Sequence, residues 1–315
     1  MAATSFVIGI DGGGSKTLAW LVPIGPEIES TKRIGRGLSG PSNPRAVGIE
    51  HACLHLQEAI EQAFQSLEEK PREVDAICFC LAGAGREEEQ ALINRWALEN
   101  RIARRVNTTG DADPILAAAS DTSVGVALIS GTGSLAWGRN AQGRVARCGG
   151  WGYLFGDEGS GYTIALEGLR AAAMAVDGRG PATLLREGFL KALDAKHPSE
   201  WIEKVYGSKL DRTQIAQLSQ VVFDAEEQQD REAIKIIEAS AFELCRMVCQ
   251  TAKSLELSSR HYPLAVAGGL LVHQTSLRQR VEQNLRASPH PPEKLVVVEE
   301  PVQGAVELAK RLLVS

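Results

Sequence analysis

FVIGIDGGGSKT, residues 6–17, runs an apolar segment straight into an acidic residue and three successive glycines. Phe6, Val7, Ile8 and Ile10 suit a buried strand, and Gly12, Gly13 and Gly14 allow a tight turn with backbone amides pointing outward. Successive amides of this kind collect anions, and Asp11 stands at the strand's end, where a carboxylate could hold a magnesium ion, directly or through water, beside bound phosphates. Ser15, Lys16 and Thr17 add two hydroxyls and a cation. Two commoner glycine motifs fail here. A P-loop needs Lys immediately after its last glycine, but Ser15 intervenes; a dinucleotide fingerprint starting at Gly12 needs glycine or alanine where Thr17 stands. Residues 18–22 are apolar, aromatic and β-branched at the end, so they read as a second strand and the glycines as the turn of a hairpin.

The pattern returns in mid-chain. Residues 124–130, VGVALIS, are a buried strand running into Gly131, Thr132, Gly133 and Ser134, with a second strand at 135–138, a turn at 140–143 and a third strand at 144–148. Each half of the chain therefore starts with strand, glycine-and-hydroxyl turn, strand, turn, strand, a duplication of pattern rather than of identity. Gly131, Gly133 and Ala136 satisfy a loose dinucleotide spacing, but a hairpin follows them instead of a helix. Two such hairpins suit a polyphosphate held between two domains. The expected domains are residues 1–120 and 121–315, with the closing helix at 302–315 a candidate to pack back onto the first. The fold class is α/β.

At 315 residues and 33.8 kDa the chain is long for one compact core, and size statistics favour two domains. No apolar run approaches membrane-spanning length and residues 1–5 are too short and polar for a signal sequence, so a cytoplasmic protein is expected. The net charge of −5 comes from 34 basic and 39 acidic residues that are interspersed; without a basic stripe, no nucleic-acid partner is expected. Of the six cysteines, Cys78 and Cys80 would share one strand face and Cys245 and Cys249 one helix face. No histidine or third cysteine accompanies either pair, which favours reduced thiols packed as small hydrophobes over a metal site.

Between the hairpins, residues 28–35 are expected to supply a third strand, residues 37–44 a loop, and residues from Ile49 to Leu67 an amphipathic helix. In the loop, Asn43 could hold a ligand's hydroxyls or cap the helix. Residues 74–81 and 104–108 read as strands around a helix at 87–100. Asp111 lies just past the second of these, where open α/β sheets place their ligands; Asp113, immediately before Pro114, is the better helix cap, leaving Asp111 for chemistry. Residues 149–161, GGWGYLFGDEGSG, fit no regular element. Their glycines imply close backbone approach, Asp157 and Glu158 could bind sugar hydroxyls or a metal, and Asp157 or Ser160 could equally cap the helix at 162–176. Helices are expected near 183–194, 198–206, 211–224 and 231–257. Residues 263–267 form a strand ending in Gly268 and Gly269, which could pass under a nucleobase. A strand at 295–299 and a helix at 302–313 close the chain.

IDGGGSKT at 10–17, NP at 43–44, GDAD at 110–113, ISGTGS at 129–134, GGWGYLFGDEGS at 149–160 and AGG at 267–269 stand together in an order and spacing that resemble the N-acetylglucosamine kinase and BadF/BadG/BcrA/BcrD ATPase family, within the acetate kinase, sugar kinase, Hsp70 and actin superfamily. The resemblance spans essentially the whole chain. It implies two ribonuclease-H-like, actin-like ATPase domains, each a mixed sheet flanked by helices, around a nucleotide cleft, and a homodimer. It implies ATP and Mg2+ as cofactors, with the phosphates on Gly12, Gly13, Gly14, Ser15, Lys16 and Thr17 and on Gly131, Thr132 and Gly133. Gly268 and Gly269 would contact adenosine, and Asp11 would orient hydrated magnesium. The sugar would lie among Asn43, Asp111, Gly150, Trp151 and Asp157, with Asp111 as general base for phosphorylating the 6-hydroxyl of N-acetylglucosamine or a related amino sugar. The best-known kinases of the family carry His-Trp after the asparagine where this chain has Pro44 and Arg45. The family's other branch, activators of 2-hydroxyacyl-CoA dehydratases, holds an iron–sulfur cluster on mid-chain cysteines; here only Cys148 lies there. Such an activator and a glucosamine kinase are the alternatives.

Overall fold

The computed structural model describes residues 5–25, 33–207 and 210–314. The described residues up to Ser123, with those from Glu300 onward, form one compact unit, and Val124–Glu299 form the other. In the first unit the elements are β1 (Ser5–Gly12), β2 (Thr17–Ile24), β3 (Gly35–Ser39), a short helix α1 (Pro44–Val47), α2 (Ile49–Gln65), β4 (Val74–Leu81), α3 (Glu87–Glu99), β5 (Ala103–Thr109) and α4 (Asp113–Ala119). The second runs β6 (Gly125–Ser130), β7 (Ser134–Arg139), β8 (Val145–Gly149), α5 (Gly161–Val176), α6 (Leu185–Ala192), α7 (Arg212–Gln217), α8 (Ser219–Glu227), α9 (Arg231–Ser254), β9 (Pro263–Ala267), α10 (Gly269–His273), α11 (Thr275–Arg286) and β10 (Lys294–Val297). The closing helix α12 (Val302–Arg311) packs on β1 and α4 of the first unit.

The duplication in the sequence is a duplication of topology. One sheet has the order β3-β2-β1-β4-β5 and the other, read from its far edge, β8-β7-β6-β9-β10. In both, the first three strands form an antiparallel meander and the next two add parallel to the first. The parallel additions need crossover helices, which put apolar cover on both sheet faces. On β1, alternate residues divide accordingly: Phe6, Ile8 and Ile10 join Leu56, Ile60 and Phe64 of α2 and Ile93 of α3, whereas Val7 joins Ala76, Cys78, Cys80 and the Val302–Ala309 face of α12. The second unit has one continuous core around α9, whose Ile237, Ala241, Leu244 and Val248 are fully buried.

Several expectations are corrected. The third strand is Gly35–Ser39, so part of the segment read as loop is strand; of the expected 28–35 strand, residues 28–32 lie outside the described residues. The expected helix at 198–206 is helical throughout but changes type along its length, from a 3-10 turn at Pro198–Glu200 to a π turn at Glu203–Gly207. Thr275–Arg286, to which the sequence reading gives no element, is a helix burying Leu277, Val281 and Leu285 at four-residue steps. Asp113 does not cap α4: the cap position is Ala112, and Asp113 turns its Oδ2 to accept the Thr109 hydroxyl at 2.6 Å. Among the described residues no helix is long and apolar enough to cross a membrane.

Candidate active site

In the first unit, sheet register builds the site. Asp11 on β1 is the partner of Cys80 on β4, and Cys80 of Thr109 on β5; all three stand at the carboxyl ends of parallel strands, and Asp111 follows two residues on. Asp11 is half-buried and Asp111 exposed. Burial first, and then the negative charge of Asp111, push the Asp11 carboxyl up to about 6, against the pull of Lys16. Two carboxylates that raise each other's cost of ionisation form a field that a cation relieves. Among the described residues no cluster of three or more His, Cys, Asp or Glu side chains could hold a metal unaided, so a magnesium ion here would complete its shell with water and phosphate oxygens, as that ion usually does.

The first hairpin turn closes with Gly13 N–H donating to the Lys16 carbonyl at 3.0 Å. Ser15 and Lys16 are exposed, and a Cβ at Gly13 or Gly14 would meet nothing within 4 Å. Neither a positive φ nor a close neighbour in the chain demands glycine at those two positions; the turn opens onto empty space. Gly12 differs, being packed against Ser42 and Leu81. Thr17 is buried, with its hydroxyl 2.6 Å from the Gly40 carbonyl and 2.8 Å from Ser42 Oγ, so it ties the hairpin to the following loop. The Gly13 carbonyl accepts the amides of both Ser42 and Asn43, at 3.1 and 3.2 Å, which sets Asn43 beside the turn. Asn43 also caps α1: its Oδ1 accepts the Arg45 amide at 3.0 Å, and Gly83 leaves it room.

The second unit brings its own set together. Gly131 N–H donates to the Gly133 carbonyl at 2.9 Å, closing the β6–β7 turn, and Gly268 and Gly269 lie against Gly131. Gly268, at φ +89°, passes so near Ser130 that a Cβ would stand 2.4 Å from its carbonyl oxygen. Segment 157–161 is stitched to the same turn: Ser130 Oγ donates to Gly159 O and Ser134 Oγ to Glu158 O, both at 2.7 Å, and Gly161 N–H donates to Gly131 O at 2.8 Å. Thr132 is half-buried at the turn. Asp157 is only 2% exposed; its Oδ1 accepts the Ser134 amide at 3.3 Å and its Oδ2 the Arg212 guanidinium at 2.5 Å. Ser160, not Asp157, caps α5. Gly150 accepts a hydrogen bond from Arg147, and Trp151 is 71% exposed on a glycine-flanked loop. Both cysteine pairs pack thiol to thiol, at 3.7 Å for Cys78–Cys80 and 4.0 Å for Cys245–Cys249.

These paired glycine turns, with an acidic strand end in the first unit, are found where the sequence pattern of the BadF/BadG/BcrA/BcrD ATPase family matches, over residues 8–309. This chain belongs to that family. An N-acetylmuramic acid/N-acetylglucosamine kinase of Clostridium acetobutylicum is 34% identical over 266 residues, covering 84% of this chain and 85% of that one. An N-acetyl-D-glucosamine kinase of Dictyostelium discoideum is 31% identical over 314 residues, 96% and 97% of the two chains. A solved structure from Chromobacterium violaceum, provisionally assigned as an N-acetylglucosamine kinase, superposes with a TM-score of 0.73 at 23% identity over 97% of this chain and 99% of its own. That likeness gives the fold, two mixed five-stranded sheets flanked by helices.

Within this family chain, sequence reasoning misses Ser130, Ser134 and Arg212. The two serines are visible as hydroxyls in ISGTGS, whereas Arg212 sits in a stretch whose pattern shows only amphipathic helices.

Proposed function

We propose that this chain transfers the terminal phosphoryl group of magnesium-ATP to the 6-hydroxyl of N-acetylglucosamine or a close amino sugar such as N-acetylmuramic acid. The observation that carries the reading is the carboxylate pair of the first unit. Asp11 is recessed and poised to ionise once a cation is near, and Asp111 is exposed at a strand end where it can meet a substrate hydroxyl. The kinase relatives, at 31% and 34% identity, supply the substrate class.

In this reading Asp111 takes the proton of the 6-hydroxyl as its oxygen attacks phosphorus, a step that contributes roughly 10²- to 10⁴-fold. Phosphoryl transfer otherwise needs positioning and charge neutralisation, which bound magnesium supplies in part. Asp11 would hold that ion, directly or through water. The outward amides of residues 12–17 and of Gly131, Thr132 and Gly133 take phosphate oxygens, and Gly268 and Gly269 lie flat against adenosine. Asn43, Gly150 and Trp151 belong to the sugar side, and Asp157, whose two oxygens already accept from the Ser134 amide and Arg212, acts through that arginine. A homodimer is part of the same proposal and is read by light scattering.

The test is ADP release measured with glucose, glucosamine, N-acetylglucosamine and N-acetylmuramic acid, with the phosphate position of the product read by NMR. Strong preference for an N-acetylated sugar is expected. Equal slow turnover on all four, or undiminished turnover in Asp111→Asn, overturns the assignment; preference for glucosamine points to the neighbouring activity.

A further inference from the structure

We propose that Arg212 is a phosphate-binding residue of the second unit, laid onto the Gly131–Gly133 turn by Asp157. The inference rests on the nucleotide half of the reading above and adds a cation that no glycine motif announces.

Four observations meet at this side chain. First, the guanidinium lies on the turn itself, since a Cβ at Gly133 would stand 2.4 Å from Arg212 Nη2. A side chain at 133 would push the guanidinium off the turn. Second, Asp157 Oδ2 fixes that same Nη2 at 2.5 Å while its Oδ1 is held by the Ser134 amide. Third, the Arg212 plane is limited on another side by Tyr153, whose ring centroid is 5.7 Å from Cζ. Fourth, Arg212 Nε is buried without a hydrogen-bond partner among the described residues. A buried donor on a charged group is costly unless something accepts from it.

Asp157 is itself held in the left-handed backbone region, φ +61°, which a non-glycine residue adopts only at a cost. The Ser160 amide and the Thr163 hydroxyl lock it there by donating to its carbonyl at 3.0 and 2.8 Å. That placement is what lets its carboxylate span from the Ser134 amide to Arg212. A tie between α7 and the loop alone would explain the ion pair, but not a guanidinium seated on a glycine turn with an unsatisfied donor. Arginine's fixed fork of N–H groups can give one arm to Asp157 and leave the others for phosphate oxygens. Asp157 is then a positioning residue and Arg212 the group that touches ligand.

The test is equilibrium titration of ATP, ADP and adenosine, with kinase KM values for ATP and sugar alongside, in the full chain and in Arg212→Ala, Arg212→Lys and Asp157→Asn. Melting curves identify variants that stay folded; Arg212→Lys keeps the charge and serves if the alanine variant does not fold. Expected in Arg212→Ala is a roughly 10- to 100-fold loss of ATP and ADP affinity, with adenosine affinity and sugar KM within about twofold. Arg212→Lys should fall between, and Asp157→Asn should shift ATP in the same direction. Unchanged ATP affinity in a folded Arg212 variant overturns the proposal, as does a loss that falls equally on adenosine or chiefly on the KM of an acidic sugar. ATP titration needs no sugar turnover, so a chain that phosphorylates none of the sugars would sink the kinase reading and still decide this one.

Discussion

Gly9 of β1 lies directly under Val306 of α12: a Cβ on Gly9 would stand 2.3 Å from the Val306 amide nitrogen and 2.7 Å from the Ala305 carbonyl carbon. The closing helix therefore rests backbone to backbone on the strand that leads to Asp11. Gly9→Ala should destabilise the protein by about 1–3 kcal/mol, toward the upper end because helix backbone, unlike a side chain, cannot swing aside. A shift of the denaturation midpoint in urea checks it. Because Gly9 is two residues from Asp11 on the same strand face, turnover in the folded fraction should fall as well.

Asp111→Asn keeps size and polarity but cannot take a proton. We expect kcat to fall roughly 10²- to 10⁴-fold with the KM for ATP little changed. Steady-state kinetics with the preferred sugar gives both constants. A large rise in KM for ATP with kcat preserved would move Asp111 from proton acceptor to nucleotide ligand.

How much of this was legible beforehand follows from what periodicity can carry. The strands of both hairpins are readable because Phe6, Val7, Ile8 and Ile10, and their counterparts in VGVALIS, are apolar and β-branched runs that lead within two residues into glycine-rich turns. The repeated strand order was only hinted at, since register between Asp11, Cys80 and Thr109 is set by pairing across the sheet and leaves no local mark. Capping propensity, which is local, makes Asp113 a helix cap, whereas the fold pairs it with Thr109 on the preceding strand. At Asn43 the sequence offers a cap and a ligand-holding side chain alike, and the fold makes the cap. Arg212 was invisible: its significance comes from a contact with Gly133, 79 positions earlier in the chain, and from a left-handed Asp157 that no propensity foretells.

The Asp11 carboxyl gives the ligand-free protein a pH dependence. Its ordinary value is 3.8 and burial with Asp111 lifts it to about 6, so the folded state holds this proton more tightly than the unfolded chain. The contribution of this group to stability is then full below about pH 4, is lost progressively between about pH 4 and 6, and is constant above that. Allowing for its partial exposure, the loss from this one group is about 1–2 kcal/mol. Asp11→Asn should remove that share of the slope and be the more stable protein at pH 7, although it loses kinase activity. Urea denaturation of both proteins from pH 4 to 8 measures the difference; parallel curves would show that Asp11 titrates at its ordinary value.

Gly12 and Gly13 are adjacent, yet they should respond oppositely to alanine. A Cβ on Gly12 would stand 2.1 Å from Ser42 Oγ and 2.6 Å from Leu81 Cδ2, whereas one on Gly13 would meet nothing within 4 Å. Gly12→Ala must displace the Ser42 hydroxyl that partners Thr17, so it should unfold more easily, by about 1–3 kcal/mol. Gly13→Ala finds room and a compatible backbone, so its ligand-free stability should be unchanged or higher by about 0.4–1 kcal/mol through the stiffer unfolded chain. What the Gly13 methyl would occupy is the open space over the turn. If that space belongs to a phosphate group, ATP should stabilise the wild-type protein against heat far more than it stabilises Gly13→Ala. A thermal shift by ATP that is equal in the two would mean that the phosphates lie elsewhere and that Gly13 is glycine for no reason found in the fold.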